Sequence, residues 1–374
     1  MTSRYGYENV FAQVSFQFCG HLDTYLIENT RRLGLVYFQT RNGSGEHVFR
    51  LYECGVLKEE VKSPFRRSIV GYYLDWWRFW NRQLNVFRRG QSEVDTIFTH
   101  PLGAFGMSHR KNVRTIFWQW DYFPDGSFVS RIFNFVARYY APRCTSYCPL
   151  TDAIGRAVGM PKSKPVMLGV TTPTRFGDVN SNRLLVVGQL RRGQGIENVL
   201  DFLAAHADYC LSLLGAPAGE FGEEIRNRIS AADMSERVYF PGRFVDDAEL
   251  CTEAARCFAA LALYDTAKNN LTHYADPGKV KSSIEMGLPV VMTRISGIVP
   301  YVERFRAGEV IDSLDELSTA IGKIRSQPDV YFEGCRAFGE YFDYRGYYAR
   351  LLPLRVGEVW ANEEDPRTRS GGNV

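Results

Sequence analysis

Several features that would assign a function directly are missing from this sequence. Its 45 basic and 42 acidic residues leave a net charge of only +3, which gives no global attraction for nucleic acid. No apolar run approaches the roughly 18 residues of a membrane-spanning helix, and the first residues do not have the pattern of a signal peptide. The six histidines show no Ser-His-Asp or metal-ligand spacing. We therefore expect a soluble or peripherally bound protein that neither binds nucleic acid nor acts as a nucleophilic hydrolase.

The cysteines also lack a pattern. There are eight, and neither Cys144/Cys148 nor Cys251/Cys257 has a second pair at the spacing of a zinc site. This scattered spacing predicts free thiols in a reducing cytosol. We expect no metal site and no cofactor, and a cytoplasmic location that includes the inner face of the membrane as one option.

Short apolar runs alternate with helical patterns in both halves, which predicts α/β architecture with mainly parallel sheets. The 374 residues, 45% of them hydrophobic, are enough for two ordinary cores. Predicted strands in the first half are Val10–Phe18, Leu35–Thr40, Val48–Tyr52, Thr96–Thr99, Thr115–Trp118 and Ser146–Pro149. Predicted helices there are Asp23–Leu33, Arg66–Phe87, Phe128–Tyr140 and Asp152–Val158.

A polar, turn-rich segment at 171–182 predicts an interdomain linker, with domains at 1–172 and 183–330. Predicted second-half strands are Arg183–Val187, Cys210–Leu214, Arg237–Phe240, Ala259–Leu263, Pro289–Met292 and Glu309–Ile311. Predicted helices are Ile196–Ala205, Glu220–Ile229, Asp246–Ala255, Lys279–Met286 and Leu314–Ile324. One or two helices are expected within 331–360, with packing back onto the first domain left open, and a disordered tail is expected at 361–374.

The most informative segment runs from Pro277 to Thr293. It predicts a loop, a short helix opened by Pro-Gly, a turn at Gly287 and a buried strand. The unpaired N–H groups at a helix start favour an anion, and Lys279 and Lys281 add positive charge there. This arrangement suits a diphosphate, although a solvated lysine at a helix start is the alternative.

A second candidate anion loop, Gly188–Gly195, follows one predicted strand and opens a helix. A plain strand-to-helix turn is the alternative. Together, the frame Val187–Ile196 and the ending Gly287-Leu288-Pro289-Val290-Val291 resemble the donor-binding domain of retaining GT-B glycosyltransferases of the glycogen-synthase-like superfamily, the group 1 glycosyltransferases. The resemblance is fair over about residues 183–312 and only architectural before that. It implies two Rossmann-like domains facing across a cleft.

The resemblance also implies a set of donor-binding residues. Gln189 and Gln194 stand where the family commonly has arginine and a diphosphate-binding lysine, so Arg191 or Arg192 is expected to substitute. Tyr274–Val280 is similar to the Asn-Pro-x-Lys motif of a bacterial polysaccharide subgroup, which assigns the diphosphate to Lys279 and the sugar or ribose to Tyr274 and Asp276. The complete donor set is Gly188, Gln189, Arg191, Arg192, Gln194, Tyr274, Asp276, Lys279, Val280 and Ser282.

Candidates in the first half lie at the ends of predicted strands, where ligands bind in open parallel sheets. Asp121 follows the strand that often ends in His-Asp in the superfamily; a turn-capping Asp is the alternative. Gly20, His21 and His100 complete the expected acceptor site, although a histidine near a strand end is more often a structural hydrogen-bonder. Asp121, His21 and Lys279 are the expected catalytic residues.

The segment 65–89 places aromatic and aliphatic residues at helical spacing among six arginines. Basic helices with tryptophan bind anionic membrane surfaces, so peripheral membrane contact is one interpretation. A core helix with solvated arginines is the other.

The function implied by the resemblance is sugar transfer from a nucleotide-diphosphate sugar to a glycan or lipid-linked acceptor, in the cleft between the domains. Retention of configuration and independence from metal are implied with it. Two alternatives remain open: a nucleotide-sugar 2-epimerase of the same fold, and a non-catalytic binding protein.

Overall fold

The computed structural model describes residues 6–15, 21–38, 45–104, 112–266 and 271–350. These residues form two compact units. The first contains the described residues through Gly169 together with those from Tyr344 onward, and the second contains Val170–Asp343. All seven cysteines in the described ranges are free. Within the same ranges, no helix is both long and apolar enough to cross a bilayer.

The described part of the first unit contains a seven-stranded sheet in the order β4-β3-β2-β1-β5-β6-β7. Its strands are β1 (Tyr7–Ser15), β2 (Thr30–Phe38), β3 (Glu46–Glu53), β4 (Val56–Pro64), β5 (Val94–Phe98), β6 (Val113–Gln119) and β7 (Ser146–Pro149). β3 is antiparallel to both of its neighbours, and the other pairs are parallel. The strand order reverses between β1 and β5, so ligands are expected at the carboxyl ends of these strands.

The first four helices of the first unit are α1 (Leu22–Asn29), α2 (Ile69–Phe87), α3 (Phe128–Tyr140) and α4 (Asp152–Val158). All of them except α1 begin at a side-chain cap. The hydroxyls of Ser68, Ser127 and Thr151 accept hydrogen bonds from the backbone N–H groups of the first turns of α2, α3 and α4. Trp76, Trp80 and Leu84 of α2 are fully buried. The aromatic face of the 65–89 segment is therefore core, and these side chains are not available to a membrane.

Two predictions for the first half were wrong. The predicted helix Asp23–Leu33 ends at Asn29, because Thr30 begins β2, which pairs in parallel with β1 over its whole length. The strand β4 was not predicted. It is an exposed, charged edge strand, and such strands lack the alternating burial on which strand prediction depends.

The second unit has, over its described residues, a six-stranded parallel sheet in the order β10-β9-β8-β11-β12-β13. Its strands are β8 (Arg183–Val187), β9 (Cys210–Leu214), β10 (Val238–Tyr239), β11 (Ala259–Ala262), β12 (Val290–Thr293) and β13 (Gly308–Ile311). This is the doubly wound order, and its reversal point lies between β8 and β11.

The helices of the second unit flank this sheet. They are α5 (Ile196–Ala205), α6 (Phe221–Ala231), α7 (Asp247–Ala254), α8 (Gly278–Glu285), α9 (Val299–Phe305), α10 (Leu317–Ser326) and α11 (Pro328–Tyr341). Helix α9 was not predicted. Helix α11 belongs to the second unit, whereas α12 (Tyr344–Tyr347) belongs to the first, where the Tyr347 and Tyr348 hydroxyls accept hydrogen bonds from the N–H groups of Met167 and Gly169. The predicted tail at 361–374 lies outside the described residues.

Candidate functional site

The reversal point of the second sheet is where the two predicted anion loops meet. The chain leaves β8 through Gly188 and leaves β11 through Leu263 and Tyr264. Because β8 and β11 are parallel neighbours, both exits lie at the same edge of the sheet. Helix α8 lies next to these two strand exits, since the side chain of Lys279 approaches Gly188.

Backbone hydrogen bonds hold the Gly188–Gly195 loop over this edge. The N–H of Gly188 donates to the Leu214 carbonyl at 2.9 Å, and the N–H of Leu190 donates to the Ala216 carbonyl at 3.0 Å. Gly195 has φ 75°, and a Cβ atom there would lie 1.4 Å from the Leu263 carbonyl oxygen. Only glycine fits, so the loop starts α5 in direct contact with the end of β11.

The side chain of Lys279 lies between the two strand exits. Its Nζ donates a 2.9 Å hydrogen bond to Oε1 of Gln194 and lies 4.3 Å from the centre of the Tyr264 ring. Burial, followed by the positive charge of Arg191, lowers the pKa of Lys279 to about 7. The structure thus brings together two predicted donor residues, Gln194 and Lys279. Lys279 of α8 supplies the positive charge. Gln194 lies at the loop position where the family commonly has lysine, and it supplies a neutral hydrogen-bond acceptor.

Tyr264 was not predicted as a site residue. Its backbone N–H donates to the Thr293 hydroxyl at 3.0 Å, and that hydroxyl is 3.0 Å from the Tyr264 carbonyl oxygen, so the ends of β11 and β12 are tied together. The side chain is buried, and burial raises the pKa of its hydroxyl. Its position directly after the apolar run 259–263 was the available signal, because side chains at such ends line ligand sites.

The two adjacent arginines differ in their surroundings. Arg192 is ion-paired with Glu224 of α6, and its guanidinium lies 5.3 Å from the centre of the Phe221 ring. Arg191 is exposed, has no ion pair with any described residue and acts electrostatically on Lys279. Gln189 is exposed. Of the two arginines predicted to substitute, Arg191 is therefore the one whose charge reaches the Lys279 site.

A pocket of about 740 Å³ lies beside the loop rather than over it. It is lined by Arg191, Arg192, Ala218, Glu220, Phe221, Glu223, Glu224, Asn227, Arg228 and Ala231. Its three arginines are matched by three glutamates, and Arg192 is paired with Glu224, so the lining has no excess of positive charge that would favour a diphosphate.

The second lysine of α8 has a different environment from the first. Lys281 Nζ donates to a carboxylate oxygen of Asp276 at 2.8 Å, and both side chains are almost completely buried. Burial lowers the pKa of Lys281, while Asp276 acts in the opposite direction. Lys281 also lies 4.2 Å from the centre of the Phe342 ring. The expectation that Lys281 adds charge to the anion site was wrong, because its charge is balanced inside the second unit.

The other residues predicted around α8 differ in how far they are buried. Val280 is completely buried, whereas Tyr274 and Ser282 are half-buried. Glu285 accepts hydrogen bonds from the backbone N–H of Thr171, at 2.8 Å, and from its hydroxyl. No described side chain caps the N-terminus of α8. The donor roles of Tyr274, Asp276, Val280 and Ser282 stay predictions.

In the first unit, His21 and His100 follow the strands that flank the reversal point. His21 has φ 63°, a left-handed conformation that costs about 1 kcal/mol or more for a residue with a side chain. Its ring stacks on Tyr344 at 4.8 Å between centroids. Asp121 is exposed and follows the end of β6, and its carbonyl accepts a 2.8 Å hydrogen bond from Gln119. Gly20 lies outside the described residues.

His100 is a core residue. It is packed among aromatic rings, with Phe133 at 4.8 Å and Trp76 at 5.8 Å between centroids. Its Nδ1 accepts a 3.2 Å hydrogen bond from the N–H of Leu102. Burial lowers the pKa of His100 to about 3, so the ring is neutral and a weak base at physiological pH. In the described ranges, no group of three or more His, Cys, Asp or Glu side chains is arranged to hold a metal ion.

No protein-family model matches the chain, and no curated protein matches it in sequence. Solved structures do match its fold. Sucrose-phosphate synthase from Thermosynechococcus elongatus has a TM-score of 0.68 at 11% identity, covering 92% of this chain and 97% of that one. HepE from Anabaena, solved with UDP and glucose, has a TM-score of 0.61 at 14% identity, covering 92% and 98%. WaaG, a glycosyltransferase involved in lipopolysaccharide biosynthesis, has a TM-score of 0.55 at 15% identity, covering 93% and 100%.

The chain has the GT-B fold. The fold class predicted from the Gly188 and Pro289 motifs is confirmed. Within this GT-B chain, the Lys279 site occupies the reversal point of the C-terminal Rossmann-like unit, the unit that the sequence resemblance assigns to the donor.

Proposed function

We propose that this protein is a glycosyltransferase that moves a sugar from a nucleotide-diphosphate sugar to a hydroxyl of a glycan or lipid-linked acceptor. The observation that supports this most directly is the position of Lys279 at the β8/β11 reversal point, beside Gly188 and Gln194. A cation beside a glycine loop and an uncapped helix start is suited to an anionic phosphate group. The fold shared with HepE, which was solved with UDP and glucose, makes uridine the first base to test.

The chemistry requires stabilisation of a departing diphosphate. The bond between the anomeric carbon and the diphosphate oxygen breaks, and a bond from the acceptor oxygen forms. Lys279, the N-terminus of α8 and Arg191 gain electrostatic energy as negative charge develops on the leaving group. In the retaining form proposed here, the acceptor proton passes to an oxygen of the leaving phosphate. These cations replace a metal, so transfer should persist in excess EDTA.

The lowered pKa of Lys279 fits this role. Near pH 7 the free site holds a lysine that is charged in only part of the molecules. A bound dianion favours the charged form, so the full positive charge returns when the donor binds. Asp121 and His21 are the proposed acceptor-side residues of the first unit. His100 is not included, because its buried neutral ring supports the turn at Leu102.

A thermal-shift panel of nucleotides and nucleotide sugars tests donor binding, since a ligand that binds only the native state raises its stability. We expect a selective response that Lys279→Met removes and that Lys162→Met, at an exposed position of the first unit, retains. No response to any diphosphate nucleotide would contradict the proposed site.

The selected donor, radiolabelled in the sugar, then distinguishes transfer from the alternatives. Incubation with candidate acceptors should yield a labelled glycan or lipid product, and this product should be lost in Lys279→Met. An epimerised sugar formed from donor alone would indicate a 2-epimerase. Donor binding without turnover, combined with biological activity that survives Lys279→Met, would indicate a non-catalytic protein.

A further inference from the structure

Helix α3 of the first unit exposes a row of apolar side chains. Phe128 is 78% exposed and Phe135 is 67% exposed, and Ile132 and Tyr139 lie exposed on the same helical face. The spacing of these residues, with steps of four, three and four, places them within one stripe of an α-helix. Exposed aromatic residues grouped in this way mark an interaction site, whereas single exposed hydrophobic residues do not.

The stripe is held on a rigid support. The opposite face of α3 is buried through Phe133, Val136 and Ala137. Asn134 is bound on both sides, because its Nδ2 donates to the Phe123 carbonyl at 2.8 Å and its Oδ1 accepts from the Phe123 N–H at 3.3 Å. Because these contacts fix the rotation of α3 about its axis, they keep the side chains of the stripe exposed.

The charged side chains of α3 itself are all positive, and the acid nearest to its start, Asp125, accepts a hydrogen bond from the Ser127 N–H at 3.1 Å. Between Gly126 and Thr151 the sequence contains three arginines and no acidic residue. Arg131 and Arg138 lie on one flank of the stripe, where Arg138 is directed to the Ala157 carbonyl at 3.1 Å. The guanidinium of Arg143 lies 3.7 Å from the centre of the Tyr139 ring at the C-terminal end.

We propose that the exposed face of α3 docks the protein on an anionic lipid bilayer. Aromatic side chains that project between arginines match a membrane surface, where rings enter the headgroup boundary and guanidinium groups contact phosphates. A second protein is less well matched. The stripe and its arginines comprise far fewer residues than the roughly 20–30 that each partner contributes to a stable protein interface. This surface is distinct from α2, whose aromatic residues are core, and the proposal does not depend on the identity of the sugar donor.

Co-sedimentation of the full-length protein with vesicles tests the proposal. One set of vesicles is phosphatidylcholine alone, and the other contains phosphatidylglycerol as well. We expect binding to the anionic vesicles. Phe128→Ser with Phe135→Ser should weaken it about tenfold or more, because two aromatic anchors are lost. The matched control pair is Phe244→Ser with Leu314→Ser, at exposed positions of the second unit, and it should bind as the wild type does.

Charge is tested separately. Arg131→Gln with Arg143→Gln should lower affinity for anionic vesicles about fivefold per arginine, whereas Arg82→Gln with Arg89→Gln, on and after α2, should not. A second disruption, Ile132→Asp, puts a carboxylate in the centre of the stripe and should also weaken binding to anionic vesicles about tenfold or more. Circular dichroism melts confirm that each variant is folded.

Three results would overturn the proposal. The wild type could fail to bind anionic vesicles at low salt. The Phe244 and Leu314 control could lose as much binding as the α3 variants. Light scattering could instead reveal a dimer that the α3 variants convert to monomer, in the absence of vesicle binding, which would identify a second copy as the partner.

Discussion

The proposed reaction needs Lys279 to be positively charged, but the surroundings of this side chain favour its neutral form. Its pKa is lowered to about 7, mainly by burial. Affinity for a nucleotide sugar, whose diphosphate stays dianionic in this range, should therefore fall as pH rises through 7. From pH 6 to pH 8 we expect a loss of about tenfold, since binding above the pKa must take up a proton. Calorimetric titration at several pH values measures this change.

Two substitutions serve as controls for that pH dependence. Lys279→Arg keeps the charge at every pH, so its affinity should be nearly constant between pH 6 and pH 8. Lys279→Met should bind weakly at all pH values. If the wild type and Lys279→Arg show the same pH profile, Lys279 is not the group that titrates.

His47 on β3 predicts a second pH effect, on stability. It is completely buried beside Phe65 and Phe79, and neither ring nitrogen has a hydrogen-bond partner in the described chain. Burial lowers its pKa to about 4, although Asp75 acts in the opposite direction. The unfolded chain binds the proton near pH 6.5 and the folded one near pH 4, so stability falls as pH drops through this window.

At pH 5 this one group should cost about 2 kcal/mol relative to pH 7.5. His47→Leu removes the buried base, so its melting temperature should fall less between pH 7.5 and pH 5 than that of the wild type. Calorimetric scans at the two pH values make the comparison. Equal losses in the two proteins would mean that His47 does not contribute to acid sensitivity.

Helix α8 illustrates how one element places two lysines in opposite environments. Lys279 faces the glycine loop, while Lys281 forms a buried ion pair with Asp276. Replacing one partner of a buried pair leaves an uncompensated charge. We therefore expect Lys281→Met to destabilise the second unit by about 3–5 kcal/mol. Denaturant unfolding followed by probes in the second unit measures this loss.

The double variant Lys281→Met with Asp276→Leu is the matched control. It removes both charges from the interior, so most of the lost stability should return. Recovery of stability without recovery of donor binding would assign Asp276 a part in the site. Stability that stays low in the double variant would show that shape, rather than charge, makes the pair important.

The whole molecule contains two sheets with reversal points, and the proposal assigns the nucleotide to only one of them. Hydrogen exchange of the full chain with and without the nucleotide sugar tests this assignment. Slower exchange is expected in 188–195 and in α8, because bound ligand suppresses local opening there. The strands β5 and β6 of the first unit should be unchanged. Protection confined to the first unit would refute the assignment.

Much of the fold could be predicted because its buried strands are continuous apolar runs between turn residues. The predicted strand Arg183–Val187 and helix Ile196–Ala205 coincide with β8 and α5. The exposed strand β4 could not be found in this way. The family resemblance named both Lys279 and Gln194, but their contact could not be predicted from local patterns, since the two residues are 85 positions apart.

By itself, the sequence determined the α/β class, the two-unit organisation and the glycines and lysines available for an anion site, because these depend on local periodicity and residue type. Tertiary structure decided what each side chain does. Lys281 forms an ion pair with Asp276, Arg192 forms one with Glu224, and the charge of Arg191 acts on Lys279. Tertiary structure also buried the aromatic face of α2 and exposed that of α3. Both helices have similar periodicity, and only packing against the rest of the chain establishes which apolar face is covered.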